Sequence, residues 1–277
     1  MSRRAPGPGR LLVYALVAFV MLVYISPYAY MMLTSLKPPE DALAIPPHIL
    51  PRQLSLDSYT RFTSDAEVPR SFLNSFIIAL MSTTLAVALA LPAAWAISRY
   101  GSWPARVFLL VTLVTRMIPY IAIAIPFFAL MRSFRLTDTW LAVALAHVTI
   151  SLPLAIWLLA GFLEAIPSEL EDAARVDGCS RLAALLRVVV PVAAGGIVVT
   201  AIFCFLASWN EFLYALLLTS VEAKTAPIVI AGFKSQYSLN WGSMTAVGTL
   251  YSLPVIVFSL FMQRRIVAGM TMGAVKG

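Results

Sequence analysis

The sequence predicts an all-α polytopic membrane protein with six kinked transmembrane helices, and three observations carry that expectation. Of 277 residues, 60% are hydrophobic and 12% charged, whereas a soluble globular domain carries about 25% charged residues. Uncharged runs long enough to cross a bilayer, roughly 20 residues, recur along the chain. One charged island, 164–191, interrupts them with five of the thirteen acidic residues and three arginines.

The runs are 11–36, 71–98, 139–163, 188–210 and 235–263, and a sixth, 107–131, is broken only by Arg116. They place spans at about 11–34, 71–97, 107–131, 139–163, 191–218 and 244–263 within one transmembrane domain, 11–265. Residues 1–10 and 266–277 read as tails, and 164–190 as the loop between the fourth and fifth spans. Arg3, Arg4 and Arg10 precede the first run as in a secretion signal. That run is too long for a signal and no small-x-small cleavage site follows, so it is read as a retained span. Proline stands at or near every span (Pro27, Pro92, Pro119 with Pro126, Pro153, Pro191, Pro254), which predicts kinked helices. The stretch 37–70 is too polar to span and reads as an extended cap with one short helix.

Net charge is +7, but the bases are spread over loops, which fits membrane-flanking anchors and not a nucleic-acid surface. Alternate loops hold 11 and 8 Lys and Arg, so both termini and the island are expected in the cytoplasm. Cys179 falls in the island and Cys204 in a span, which gives no disulfide framework.

Within the island, Ser168 followed by Glu171 has the spacing of a reciprocal capping box. Glu169, Glu171 and Asp172 suit the positive end of the helix that follows. Gly178 is placed to end that helix in a left-handed turn. Ser180 can cap a second helix, 181–190, and Pro191 marks the start of the fifth span. Small Ala173 and Ala174 would let another protein approach closely, and the acids could meet its arginines. A loop helix that merely lies on the membrane surface fits the same residues.

The run Asp172-Ala173-Ala174, three residues, Gly178, then Val188, Val190 and Pro191 resembles the E-A-A loop of importer-type ABC transporter permeases. The thirteen-residue glycine-to-proline spacing matches, while Asp172 stands for the first Glu and valines for the Ile and Leu. Ala207-Ser208-Trp209-Asn210-Glu211-Phe212 is similar to the W-N-E-F stretch of MalG-type carbohydrate permeases, as is the C-terminal run from Gln263. The resemblance implies the type I importer permease fold with a cytoplasmic coupling helix, in a prokaryotic cell membrane. It implies these partners: a homologous second permease subunit (MalF-like), an ATPase subunit dimer, an extracytoplasmic solute-binding protein, a carbohydrate substrate and membrane lipid, with no nucleic acid. Glu171, Asp172, Ala173, Ala174, Asp177, Gly178 and Pro191 would then carry ATPase coupling. No cofactor is expected on this chain, because ATP and Mg would be used by the ATPase. Lys224-Thr225 follows Ala223 where a P-loop needs glycine, and no Gly-Lys pair occurs.

Polar groups within spans are candidates for function by default. Trp209, Asn210, Glu211 and His147 are therefore candidates for the substrate pathway, against a purely structural helix-to-helix role. Arg116 is expected either to pair with Glu211 or to snorkel. Gly195 and Gly196 suit close contact with the partner permease. The expected function is the permease subunit of an ATP-driven sugar importer. A sugar-like solute such as glycerol phosphate, a polyol or an amino sugar is the nearest alternative. A secondary transporter would need an internal repeat, which is not found, and an intramembrane enzyme would need a nucleophile–base pair or metal ligands at depth.

Overall fold

The computed structural model describes residues 8–234 and 240–274, with 8, 61 and 261–274 as backbone only. All regular elements among them are helices. Four helices are long and apolar enough to cross a membrane singly: α1 (Pro8–Ser35), α2 (Glu67–Tyr100), α5 (Trp140–Glu164) and α11 (Trp241–Ala274). Two bent helix pairs pass the same test of length and apolarity together. One is α3 (Trp103–Thr115) with α4 (Tyr120–Ser133), at 92°. The other is α7 (Arg181–Val192) with α8 (Ala194–Trp209), at 80°. With each pair taken as one span, the count is the expected six. Three short helices lie between or after the spans: α6 (Glu169–Val176), α9 (Leu213–Leu218) and α10 (Ala226–Gly232). The stretch 37–70, expected to hold one short helix, holds three short elements: helices at Pro39–Ala42 and Thr60–Ser64 and a 3-10 turn at Asp57–Tyr59.

Boundaries differ from expectation in three places. Pro191 does not begin the fifth span. It sits in the last turn of α7, which passes through a π-helical stretch at Leu185–Val189, and the bend follows at Ala193. The stretch 191–218 is also interrupted at 210–212, where α8 ends and α9 starts anew. At the C-terminus α11 continues past 263 to Ala274, so most of the expected tail is helical; 275–277 lie outside the described residues. No proline follows Pro254 to stop that helix. Pro27, Pro92, Pro153 and Pro254 all stand inside unbroken helices, and only the positions near Pro119 and Pro191 carry sharp bends.

The chain divides into two compact units. In the first, residues 1–68 with 230–253, the most apolar stretch of α1 has no residue buried. Near its C-terminal end, Tyr28 accepts a hydrogen bond from Ser252 at 3.0 Å, and Lys37 is buried with its ammonium donating to the His48 carbonyl. The second unit, residues 69–229 with 254–277, holds the two apolar cores. Ala86, Ala90 and Ala94 on one stripe of α2 let α5 approach through Ala155, Leu159 and Leu163, with Leu185 and Val189 of α7 closing the cluster. The other core joins Ala142, Val143 and Ala146 of α5 to Tyr214, Ala215 and Leu218 of α9 and to Ala124 and Met131 of α4. Gly196 is needed inside this unit: a Cβ there would stand 2.5 Å from the Phe162 ring, so α8 rests directly on α5. An added Cβ on Gly195 meets nothing within 4 Å.

Candidate functional site

The charged island folds as helix, glycine turn, helix. Gly178 has φ +89°, in the left-handed region where glycine has no steric penalty. Its N–H donates to the Arg175 carbonyl at 3.1 Å and that of Cys179 to the Ala174 carbonyl at 2.9 Å, which closes α6. Ser180 caps α7 as expected, accepting the Ala183 N–H at 3.2 Å.

The expected capping box at the other end does not form. The Ser168 side chain makes no cap bond, and Glu171 turns away from it into the protein. Its Oε2 accepts the Trp95 indole N–H at 3.0 Å and its Oε1 pairs with the Arg99 guanidinium. Arg99 also donates to the Leu163 carbonyl at the end of α5, at 3.2 Å. A buried charge must be paired and hydrogen-bonded, whereas an exposed cap can be replaced by water, so the latch wins Glu171. A second tie runs from Arg181 to the Tyr100 hydroxyl at 2.7 Å. Both ties end on the last turns of α2.

This geometry divides the island residues into two faces. Glu171 and Ala174 are buried, so Ala174 packs inside this chain and is not presented to a partner. Asp172, Ala173, Asp177 and Gly178 are exposed, as is Val176 at 87%. Asp172 lies 3.7 Å from Arg175 on that open face. Pro191 is exposed on α7.

The candidates within the spans cluster at the break between α8 and α9. Glu211 Oε1 accepts the Tyr214 N–H at 3.0 Å, and Oε2 accepts the Ala215 N–H at 3.2 Å and His147 Nε2–H at 3.0 Å. With that proton given to Glu211, His147 Nδ1 accepts the Ser208 hydroxyl at 2.6 Å. His147 is 1% exposed and Trp209 3%, the latter stacked on Phe205 at 5.7 Å between centroids. Asn210 is exposed and donates to the Leu206 carbonyl at 2.9 Å. Glu211 thus caps the restarted helix, and its partner is His147. Arg116 does not pair with it: Arg116 ends α3 and makes no ion pair among the described residues.

Residues that the sequence did not single out organise the opposite end of α5. Asp138 precedes that helix with φ +61° and gathers the loop 220–223 around its carboxylate. Oδ1 accepts the N–H groups of Ser220 and Ala223, and Oδ2 those of Val221 and Glu222, all at 3.0 Å. The Ser220 hydroxyl adds a bond at 2.8 Å. Burial pushes the Asp138 carboxyl up, but the N–H groups of Glu222, Ser220 and Ala223 outweigh it and hold it well below the usual carboxylate range. Asn74 holds the same loop from α2, donating to the carbonyls of Glu222 and Lys224 at 2.9 Å each. No sequence pattern announces a carboxylate whose partners are backbone amides some eighty residues away. No cluster of three or more metal-ligating side chains occurs among the described residues.

A bundle of apolar helices, with a two-faced helix–turn–helix latched to one end of it, defines a polytopic α-helical membrane protein. The chain belongs to the family described as binding-protein-dependent transport system inner membrane component, which it matches over residues 71–272. It is 40% identical over 232 residues to the trehalose transport system permease protein SugB of Mycobacterium tuberculosis, covering 83% of this chain and 85% of that one. It is 30% identical over 260 residues to the trehalose/maltose transport system permease protein MalG of Thermococcus litoralis, covering 92% and 93%. A solved bacterial ABC transporter involved in import of the acidic polysaccharide alginate contains a chain of the same fold. The TM-score is 0.78 at 21% identity, over 95% of this chain and 99% of that one.

Proposed function

We propose that this chain is the permease subunit of an ATP-driven, binding-protein-dependent sugar importer, forming half of the translocation pore. The observation that carries the reading is the division of α6 into a latched face and an open one. Glu171 and Ala174 join it to the bundle, and Asp172, Val176 and Asp177 are left for a partner. An ATPase subunit dimer docks there through basic side chains. Its closure on ATP moves α6, and the latch passes that movement to α2 and α5. ATP and Mg belong to the ATPase, and this subunit catalyses no reaction. A homologous permease completes the pore and an extracytoplasmic binding protein delivers the solute. Both termini and α6 face the cytoplasm, and the loop 220–223 faces outward. Relatives named for trehalose and trehalose/maltose transport support a sugar as cargo.

The test is purification in mild detergent followed by reconstitution. An ATPase and a second permease should co-purify, and uptake of a labelled sugar from a panel of neutral and acidic saccharides should require ATP and the binding protein. Normal uptake by a Gly178→Asp variant, or proton-driven uptake by this chain alone, would falsify the reading.

A further inference from the structure

The third span is broken in its middle, where α3 and α4 meet at 92°, and the space beside the break is not filled. A cavity of about 40 Å³ lies there, lined by Thr115, Arg116, Tyr120, Thr149 and Tyr214 among others. One water needs about 10–15 Å³ by this measure, so the cavity takes a single group the size of a carboxylate and not a sugar ring.

Three features of its wall call for negative charge. Arg116 is the one charge in the 107–131 run, and it has no ion-pair partner among the described residues. A charge set within a span is costly, which marks Arg116, exposed on this chain at the end of α3, as a functional candidate. Helix α4, 14 residues long, begins at Tyr120 behind Pro119, whose side chain provides no acceptor. Its first N–H groups and the positive end of its dipole are thus left uncapped at the break. Tyr214 is 1% exposed, and its hydroxyl is buried without a hydrogen-bond partner among the described residues. Thr149 lies near it, outside bonding geometry, with its own hydroxyl donated to Ala146 at 2.6 Å. The carboxylate that could have neutralised this wall, Glu211, has both oxygens committed to His147 and the start of α9. Half-helix N-termini at broken spans meet anionic groups of the solute elsewhere among transporters.

We infer that this cavity is a subsite for one carboxylate of a sugar solute. Arg116 supplies the charge, the start of α4 its N–H donors, and Tyr214 a hydroxyl. The inference rests on the import reading and specifies the class of its cargo: an acidic saccharide.

Arginine modification tests it in the assembled complex. Phenylglyoxal labelling of Arg116 is followed by peptide mass spectrometry with glucuronate, glucose or inorganic phosphate present, and exposed Arg132 serves as internal reference. Glucuronate is expected to slow labelling of Arg116 relative to Arg132 about fivefold or more, with glucose and phosphate leaving it unchanged. In Tyr214→Phe the glucuronate concentration giving half protection should rise about tenfold. Protection by glucose or phosphate as strong as by glucuronate, or no protection at all, overturns the assignment. ATP-driven uptake scores the import reading separately, so each can fail while the other stands.

Discussion

The Trp95 indole nitrogen donates to Glu171 at 3.0 Å, and this one bond ties the amphipathic helix α6 to the last turns of α2. The same carboxylate holds Arg99, which reaches the end of α5. Glu171 therefore acts inside the chain, and the acids left exposed beside it are Asp172 and Asp177.

Removing Glu171 leaves Arg99, whose side chain is only 13% exposed, without its ion-pair partner. Breaking such a pair costs about 3–5 kcal/mol. Glu171→Ala is expected to lower the thermal midpoint of the purified complex markedly, and Glu171→Gln, which still accepts the Trp95 bond, to lower it less. A double-mutant cycle with Arg99→Met should return a coupling energy above about 1 kcal/mol. A value near zero would show that the two side chains touch without supporting each other.

Gly178 makes a second, purely conformational prediction. Nothing lies within 4 Å of a Cβ added there, so only the backbone resists substitution. Gly178→Val should cost about 1–2 kcal/mol in the turn and reduce recovery of the ATPase in a pull-down, whereas Gly178→Asn should retain most of it. Equal losses in the two variants would point to a contact at this position instead.

Glu211→Ala uncaps α9 and removes the acceptor of His147 Nε2–H, for an expected loss of about 2 kcal/mol or more in stability. Glu211→Gln keeps an acceptor for the helix start and should fall between the two. Uptake abolished in Glu211→Ala with an unchanged melting midpoint would assign the side chain to the solute pathway.

Asp138 sets a pH dependence. Its folded-state pKa is depressed, so its contribution to stability is fully present above the unfolded value near 3.9 and is lost as pH falls through the lower, folded value. The amides of 220–223 should resist hydrogen exchange equally at about pH 7 and about pH 5. In Asp138→Asn, whose amide nitrogen cannot accept, they should exchange about tenfold faster or more at both. Unchanged exchange would mean the loop is held without the carboxylate.

The long apolar helices were legible because uncharged runs of bilayer length have few other uses. The glycine turn was legible because few residues but glycine adopt φ +89° cheaply. The sharp bends were not, since Pro27, Pro92 and Pro153 look the same in sequence as Pro119 yet leave their helices unbroken. The capping box failed for a tertiary reason: Arg99, seventy-two residues away, competes for Glu171 and wins by being buried. Trp209, Asn210, Glu211 and His147 read as candidates either for the substrate pathway or for a structural role between helices, and in the structure Glu211 restarts a helix and meets His147. An acid two residues ahead of an apolar helical run was the available signal.

Helix α5 runs 25 residues, about 37 Å, from Asp138 at one end to the Leu163 carbonyl under Arg99 at the other. It is a strut clipped at both ends, and its internal proline does not break it. A strut held that way has tilt as its main freedom, so a small displacement at one clip reappears across the bilayer as a displacement of the other. Shortening or hinging α5, with both clips intact, would separate the two ends of this lever without touching either.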